Sequence, residues 1–334
     1  MSESADRLRS VVSGAIAERM GTTSQTSSDD TRAWTFVAST FGPGWGAAAV
    51  LRLIAGPMGG PLDPASADPA DWAAGALSIL FFVLPVIVAI VMSRRWGIGL
   101  RDWGLRMAPV SALLAAPLVG LALALVATAL PILVGISEFE PSGMGEVQRL
   151  AEARSIQALE LQIELADQPR PLGPKIAGGL LAGLLLGLLF APVIELPWRG
   201  LMLTELSGRG FARAALIPAA LAGLWWLPYQ LLVGMVGYHG TGAAAVGIVS
   251  YALLGVPLAW VRVKTGSILP AGVLAVTVSA LSELPRLATA GGTHLELELC
   301  ALAVVGLLAG AALLWPPRSE GSERLRTLRR CPDV

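Results

Sequence analysis

The chain has 334 residues, 54% hydrophobic and 14% charged, with 24 basic against 24 acidic side chains and a mean hydropathy of +0.66. That is too apolar for an ordinary soluble domain, and it lacks the basic excess on which nucleic-acid binding draws. An integral membrane protein with the lipid bilayer as its surroundings is expected, with no nucleic-acid partner.

Residues 1–32 lack the continuous apolar core of a secretory signal. Leu8, Val11, Val12, Ala15 and Ile16 have the spacing of an amphipathic surface helix, followed by the Ser/Thr-rich stretch GTTSQTSSDD. This segment is expected to be a cytoplasmic tail. Uncharged runs then follow one another, each near the roughly 20 residues that cross about 30 Å of hydrocarbon as a helix. They cover 34–56, 73–93, 109–136, 175–195, 212–236, 243–262, 267–284 and 295–315. The expected fold is all-α, a polytopic bundle of about eight spans. The first run is interrupted by Gly42, Pro43, Gly44 and Arg52.

Basic residues cluster after every second span: Arg94, Arg95, Arg101 and Arg106, then Arg199, Arg209 and Arg213, then Arg262 and Lys264, then Arg318 to Arg330. The positive-inside rule therefore puts both termini and the 195–199 segment on the cytoplasmic side of the cell membrane. Trp96 and Trp103, within SRRWGIGLRDWGLRM, suit the headgroup level. The connection 137–174 reads as an extracytoplasmic helix with Ile156, Leu159 and Ile163 on one face. The organisation expected is a tail at 1–32, the first helices and this connection at 33–174, a core at 175–285, a last span at 286–317 and a basic tail at 318–334. The final CPDV does not suit prenylation, because Pro332 and Asp333 occupy positions that should be aliphatic.

The stretch FAPVIELPWRGLML, 190–203, sets Glu195 and Arg199 four residues apart at the edge of a span. On a helix these two can pair, which lowers the cost of holding charge near hydrocarbon. Spacing alone leaves two roles open: a structural pin, or a site for water or substrate. Among other titratable groups, Glu205 reads as a surface charge and Glu283 as solvating the outer end of its span. His239 and His294 read as exposed loop residues a bilayer thickness from Glu195. The two cysteines, Cys300 and Cys331, give no disulfide framework. No metal-ligand spacing and no nucleotide-binding glycine pattern is present, so neither metal nor cofactor is expected.

The stretch IELPWRG resembles the first motif, E-E-x-x-x-R, of the CAAX-protease and bacteriocin-processing family of intramembrane proteases. GLWWLPYQLL, 223–232, resembles its W-H-L-P motif. TGSILPAGVLAVTVSAL, 265–281, resembles its G-S-L-x-P-A motif with H-x-x-x-N or H-x-x-x-D beyond, and LRDWGLR is similar to a stretch found upstream. The resemblance covers 175–285 and, more thinly, 94–136. It implies the family's helical fold and, position by position, an altered site. The water-activating Glu falls on Ile194, the second Glu on Glu195 and the Arg on Arg199. The first His falls on Trp226, the second on Ala275, and the Asn or Asp on Ser279. Amide hydrolysis needs a base, a proton for the leaving amine and oxyanion donors. Ile194 and Ala275 supply none of these, and the Trp226 indole can only donate. A pseudoprotease that binds a membrane protein, peptide or lipid is the expected function. The alternatives are an active endopeptidase using Glu195, with Ser279 or Thr277 placing the water, and a transporter subunit.

Overall fold

Prolines, glycines and charge placement set the helix boundaries in the computed structural model, which describes residues 31–50, 69–152, 172–232 and 235–317. Helix α1 covers 31–50 and buries Ala33, Phe36, Thr40, Gly44 and Ala48, one face at three- to four-residue spacing. The rest of the run expected at 34–56, Arg52 included, lies outside the described residues. So do the amphipathic pattern near the start, Ile156, Leu159 and Ile163, and the basic tail.

Helix α2, Pro69–Trp96, ends on Arg94 and Arg95. Helix α3, Val110–Leu133, starts directly after Pro109 and buries Leu113, Ala116, Pro117, Gly120, Ala124, Ala127, Thr128 and Pro131. A two-residue strand β1, Glu138–Phe139, precedes α4, Met144–Glu152. The Glu140 carboxylate accepts from the Ser142 and Gly145 amides at 3.0 and 3.1 Å and so fastens the start of α4.

Helix α5, Leu172–Glu195, buries Gly179, Gly183, Gly187, Ala191 and Glu195, one residue in every four, while Leu181, Leu185, Leu186, Leu189 and Phe190 are left exposed. This is how a membrane helix sorts its faces, since small residues let backbones approach and leucines meet lipid. α5 runs on through a π-helical segment, Leu196–Met202, and a last α turn, Leu203–Glu205. Gly210, at φ +83°, breaks the chain direction before α6, Phe211–Leu232. Helix α7, Met235–Thr265, includes the 237–242 stretch expected to be a loop and carries His239 within its early turns. Then come α8, Leu269–Leu281, a single turn α9, Leu284–Leu287, strand β2, Thr289–Ala290, and α10, His294–Leu314. β2 pairs antiparallel with β1, Glu138 opposite Ala290.

Among the described residues, six helices are long and apolar enough to cross a membrane: Ile79–Trp96, Val110–Leu133, Leu172–Glu205, Phe211–Pro228, Ala245–Thr265 and His294–Leu314. The span expected at 267–284 is corrected. α8 has 13 residues, about 20 Å of rise where about 30 Å is needed. It is instead an interior helix, packed between α5, α3 and α7, with Pro270 through Ala275, Thr277 and Leu281 buried. Its partner is the small-residue face of α5, met antiparallel. A Cβ at Gly187 would stand 2.6 Å from Val273 Cα, Gly183 lies on Thr277, and Gly179 lies on Leu281.

Candidate functional site

Pro197 lacks an N–H, so the α-helical hydrogen bond it would make to the preceding turn cannot form, and the chain widens into the π segment. All seven of its residues are buried. Trp198 meets Phe36 and Phe41 of α1 edge-on at 5.7 and 6.4 Å. Gly200 leaves room for the loop after α2, since a Cβ there would lie 2.9 Å from the Trp103 carbonyl. The widened turn thus receives α1 on one side and the 97–109 loop on the other.

Within it Arg199 Nε stands 3.4 Å from Glu195 Oε2, both side chains 1% exposed. The contact is an ion pair without good hydrogen-bond geometry, and Nη1 and Nη2 also lack a well-aligned acceptor. The guanidinium lies against α7 at Gly255, where a Cβ would be 2.6 Å from Nη2 and 2.6 Å from the Ala219 methyl of α6. One turn earlier on α7, Tyr251 is close enough to feel both charges and also reaches Trp226. The Trp226 and Tyr251 rings meet edge-on at 6.3 Å, and Trp226 meets Phe82 of α2 at 5.0 Å. Next to it, Trp225 is fully buried, donates to the Phe81 carbonyl at 3.0 Å and packs on Gly44 of α1.

The sequence-derived positions therefore separate into three places. Glu195, Arg199 and Trp226 join one buried polar–aromatic group through Tyr251. Ile194 and Ala275 belong to a neighbouring apolar cluster with Leu184, Leu188, Leu254 and Leu258. Ser279 is exposed on α8, while buried Thr277 donates its hydroxyl proton to the Val273 carbonyl at 2.8 Å. Tyr251 and Gly255 were not singled out from the sequence. Their signal was the four-residue interval that put a polar aromatic and a glycine on one face of an otherwise apolar helix.

Two further expectations are corrected. Glu205 is 2% exposed, in a last turn whose three residues are all buried, rather than at the surface. His294 is 8% exposed, packed at the start of α10 with its Nε2 4.0 Å from Glu146 Oε1. Glu146 in turn binds Arg149 at 3.1 Å, and Arg149 donates to the carbonyls of Thr289 and Gly291 and to that of Arg286. α4 therefore docks on β2 by a buried polar network. Glu283 is half exposed as expected and pairs with Lys175 at 2.8 Å.

With this geometry in place, comparison with known families adds one finding: residues 177–281 match the model of the type II CAAX prenyl endopeptidase Rce1-like family. Residues 177–281 form an Rce1-like domain. It contains α5 from residue 177 onward with its π segment, α6, α7 and α8, and so includes every position of the altered site. No curated protein matches the chain.

Chemically, the group around Glu195 presents a carboxylate, neutralised by Arg199 and shut from solvent, beside a phenol and an indole. Such a group can orient a polar ligand or pin helices. Among the described residues, neither a second carboxylate nor an imidazole joins it to relay a proton.

Proposed function

We propose that this protein is a non-catalytic member of the Rce1-like group, a pseudoprotease of the cell membrane that acts by binding a membrane partner, with both termini in the cytoplasm. The observation that carries this is the apolar contact cluster shared by Ile194 and Ala275, at the two positions where the family pattern calls for Glu and His. General acid–base help is worth roughly 10²–10⁴ in rate and an oxyanion donor roughly 10²–10³. Loss of both kinds of group removes most of what the mechanism uses.

The test is incubation of the purified full chain in nanodiscs with a farnesylated peptide ending in a CAAX sequence, with products read by mass spectrometry. No turnover is expected from the unaltered chain. Trace turnover is expected after Ile194→Glu, Trp226→His and Ala275→His together. Hydrolysis by the unaltered chain that disappears in Glu195→Gln would replace this proposal with the endopeptidase alternative, which the closeness of Tyr251 to Glu195 supports. Orientation is tested separately, since Cys331 should react with an impermeant maleimide only from the cytoplasmic face.

A further inference from the structure

The end of α7 and the loop after α2 hold two guanidiniums together with no acid between them. Arg262 is 1% exposed and lies on Gly104, whose φ of +90° and missing side chain make the space it fills. Its Nη2 approaches the Asp102 carbonyl at 3.5 Å, whereas Nε and Nη1 have no acceptor among the described residues. Arg106, exposed, crosses the other way. It lies on Gly266, at φ +70°, and its Nε donates to the Gly266 carbonyl at 2.7 Å.

Arg106 is the charged group that acts on Arg262. Among the described residues no carboxylate stands within ion-pair distance of either. Asp102, the nearest acid in the loop, accepts from the Gly99 amide at 3.1 Å instead. The arrangement is fixed by backbone. Ile268 N–H donates to the Gly104 carbonyl at 3.0 Å, and the Ser267 hydroxyl donates to the Arg106 carbonyl at 2.6 Å.

A guanidinium does not shed its proton, so the positive charge on Arg262 persists in the interior and calls for an oxygen anion that fits its planar fork. We propose that Arg106 and Arg262 together bind a phosphate group, with buried Arg262 as the anchor and exposed Arg106 as the entrance. The site closes the last turn of a candidate span, Ala245–Thr265, against the loop that follows α2 and its exposed Arg94 and Arg95, which is the level of lipid phosphates; Trp103 of that loop, expected at the headgroups, is instead fully buried against the helices. The phosphate can belong to an anionic headgroup or to a free ion, and the two sources are separable. This inference is independent of whether the domain hydrolyses peptides.

The experiment uses the full chain purified in detergent, with two probes. Native mass spectrometry after reconstitution in bilayers of equal phosphatidylglycerol and phosphatidylcholine tests for a retained anionic lipid. Thermal unfolding in inorganic phosphate, against chloride at equal ionic strength, tests the free ion. Arg106→Gln changes an exposed side chain, removes its bond to the Gly266 carbonyl along with the charge, and should weaken the bound species about tenfold or more, as expected for losing one charge-assisted donor pair. Arg262→Lys, which keeps the charge and loses the fork, should also weaken it, and Arg101→Gln in the same loop should leave it unchanged.

Selective retention of phosphatidylglycerol assigns the headgroup. Stabilisation by phosphate without lipid retention assigns the free ion. Equal behaviour of phosphate and chloride together with unselective lipid retention overturns the site. So does a bound species that Arg106→Gln and Arg101→Gln affect alike.

Discussion

Replacing Glu195 tests whether the buried pair is a pin whose parts depend on each other. At 3.4 Å and an effective dielectric near 20, the attraction between unit charges is about 5 kcal/mol. Both groups are shut from water, and the contact lacks good hydrogen-bond geometry, so much of that attraction is offset by desolvation. Removal of one partner leaves the other uncompensated, which typically costs about 3–5 kcal/mol, whereas replacement of both by apolar groups of similar volume is often neutral. Glu195→Leu alone and Arg199→Met alone should each destabilise by about 3–5 kcal/mol. The double variant should recover most of that loss, so that its cost falls short of the sum of the two singles by about 5 kcal/mol or more in a double-mutant cycle. Reversible unfolding in bicelles measures all four corners. Single-variant costs below about 1 kcal/mol that simply add would refute the argument, because they would mean that water or another group reaches the pair.

Further outcomes follow from contacts elsewhere. Gly187→Ala places a Cβ 2.6 Å from Val273 Cα and 3.2 Å from the Gly272 carbonyl. Both are backbone atoms that cannot swing aside, so overpacking of about 1–3 kcal/mol should exceed the roughly 1 kcal/mol gain in helix propensity. Gly178→Ala, with nothing within 4 Å, should be stabilising in the same unfolding assay. Trp225→Phe removes the 3.0 Å bond to the Phe81 carbonyl and part of a fully buried ring, and should lower stability by about 2 kcal/mol. Burial raises the Glu140 pKa, but the bonds from the Ser142 hydroxyl and the Gly145, Ser142 and Met144 backbone outweigh it and hold the carboxyl below its ordinary value. A lowered folded-state pKa gives stability that is present above the unfolded value of 4.5 and lost as pH falls through the folded one. The extra hydrogen-exchange protection of the Gly145 amide over a Glu140→Gln variant should therefore be full near neutrality and vanish in acid.

What the sequence disclosed follows from which forces act locally. Long uncharged runs report directly on burial in hydrocarbon, so α2, α3, α5, α6, α7 and α10 were legible by position. The glycine ladder of α5 was visible as letters, but its partner was not. Whether 267–284 crosses the bilayer depends on where Gly266, at φ +70°, and the Ser282 turn cut the helix, and such local geometry is settled by packing. Glu205 and His294 were misjudged for a related reason. Hydropathy counts a charge near a span end as exposed, whereas Glu205 lies in a wholly buried turn and His294 is covered where α4 docks. Tyr251 escaped notice because its role arises only when α7 meets α5.

The contacts also separate scaffold from chemistry along the Rce1-like segment. Pro197 opens the turn, Trp198 grips α1, Arg199 spans to α7, and Gly200 admits the Trp103 backbone. Each of these would be needed to assemble the helices whether or not a peptide bond were ever cut. Ile194 and Ala275 pack in an apolar cluster, and Trp226 makes ring contacts with Phe82 and Tyr251. Reactive groups at positions 194 and 275 would place polar atoms within this apolar cluster, at roughly 1–3 kcal/mol for each group left unsatisfied. Packing of this kind favours stability over proton transfer, so the variant that regains hydrolysis should also be the least stable of the series.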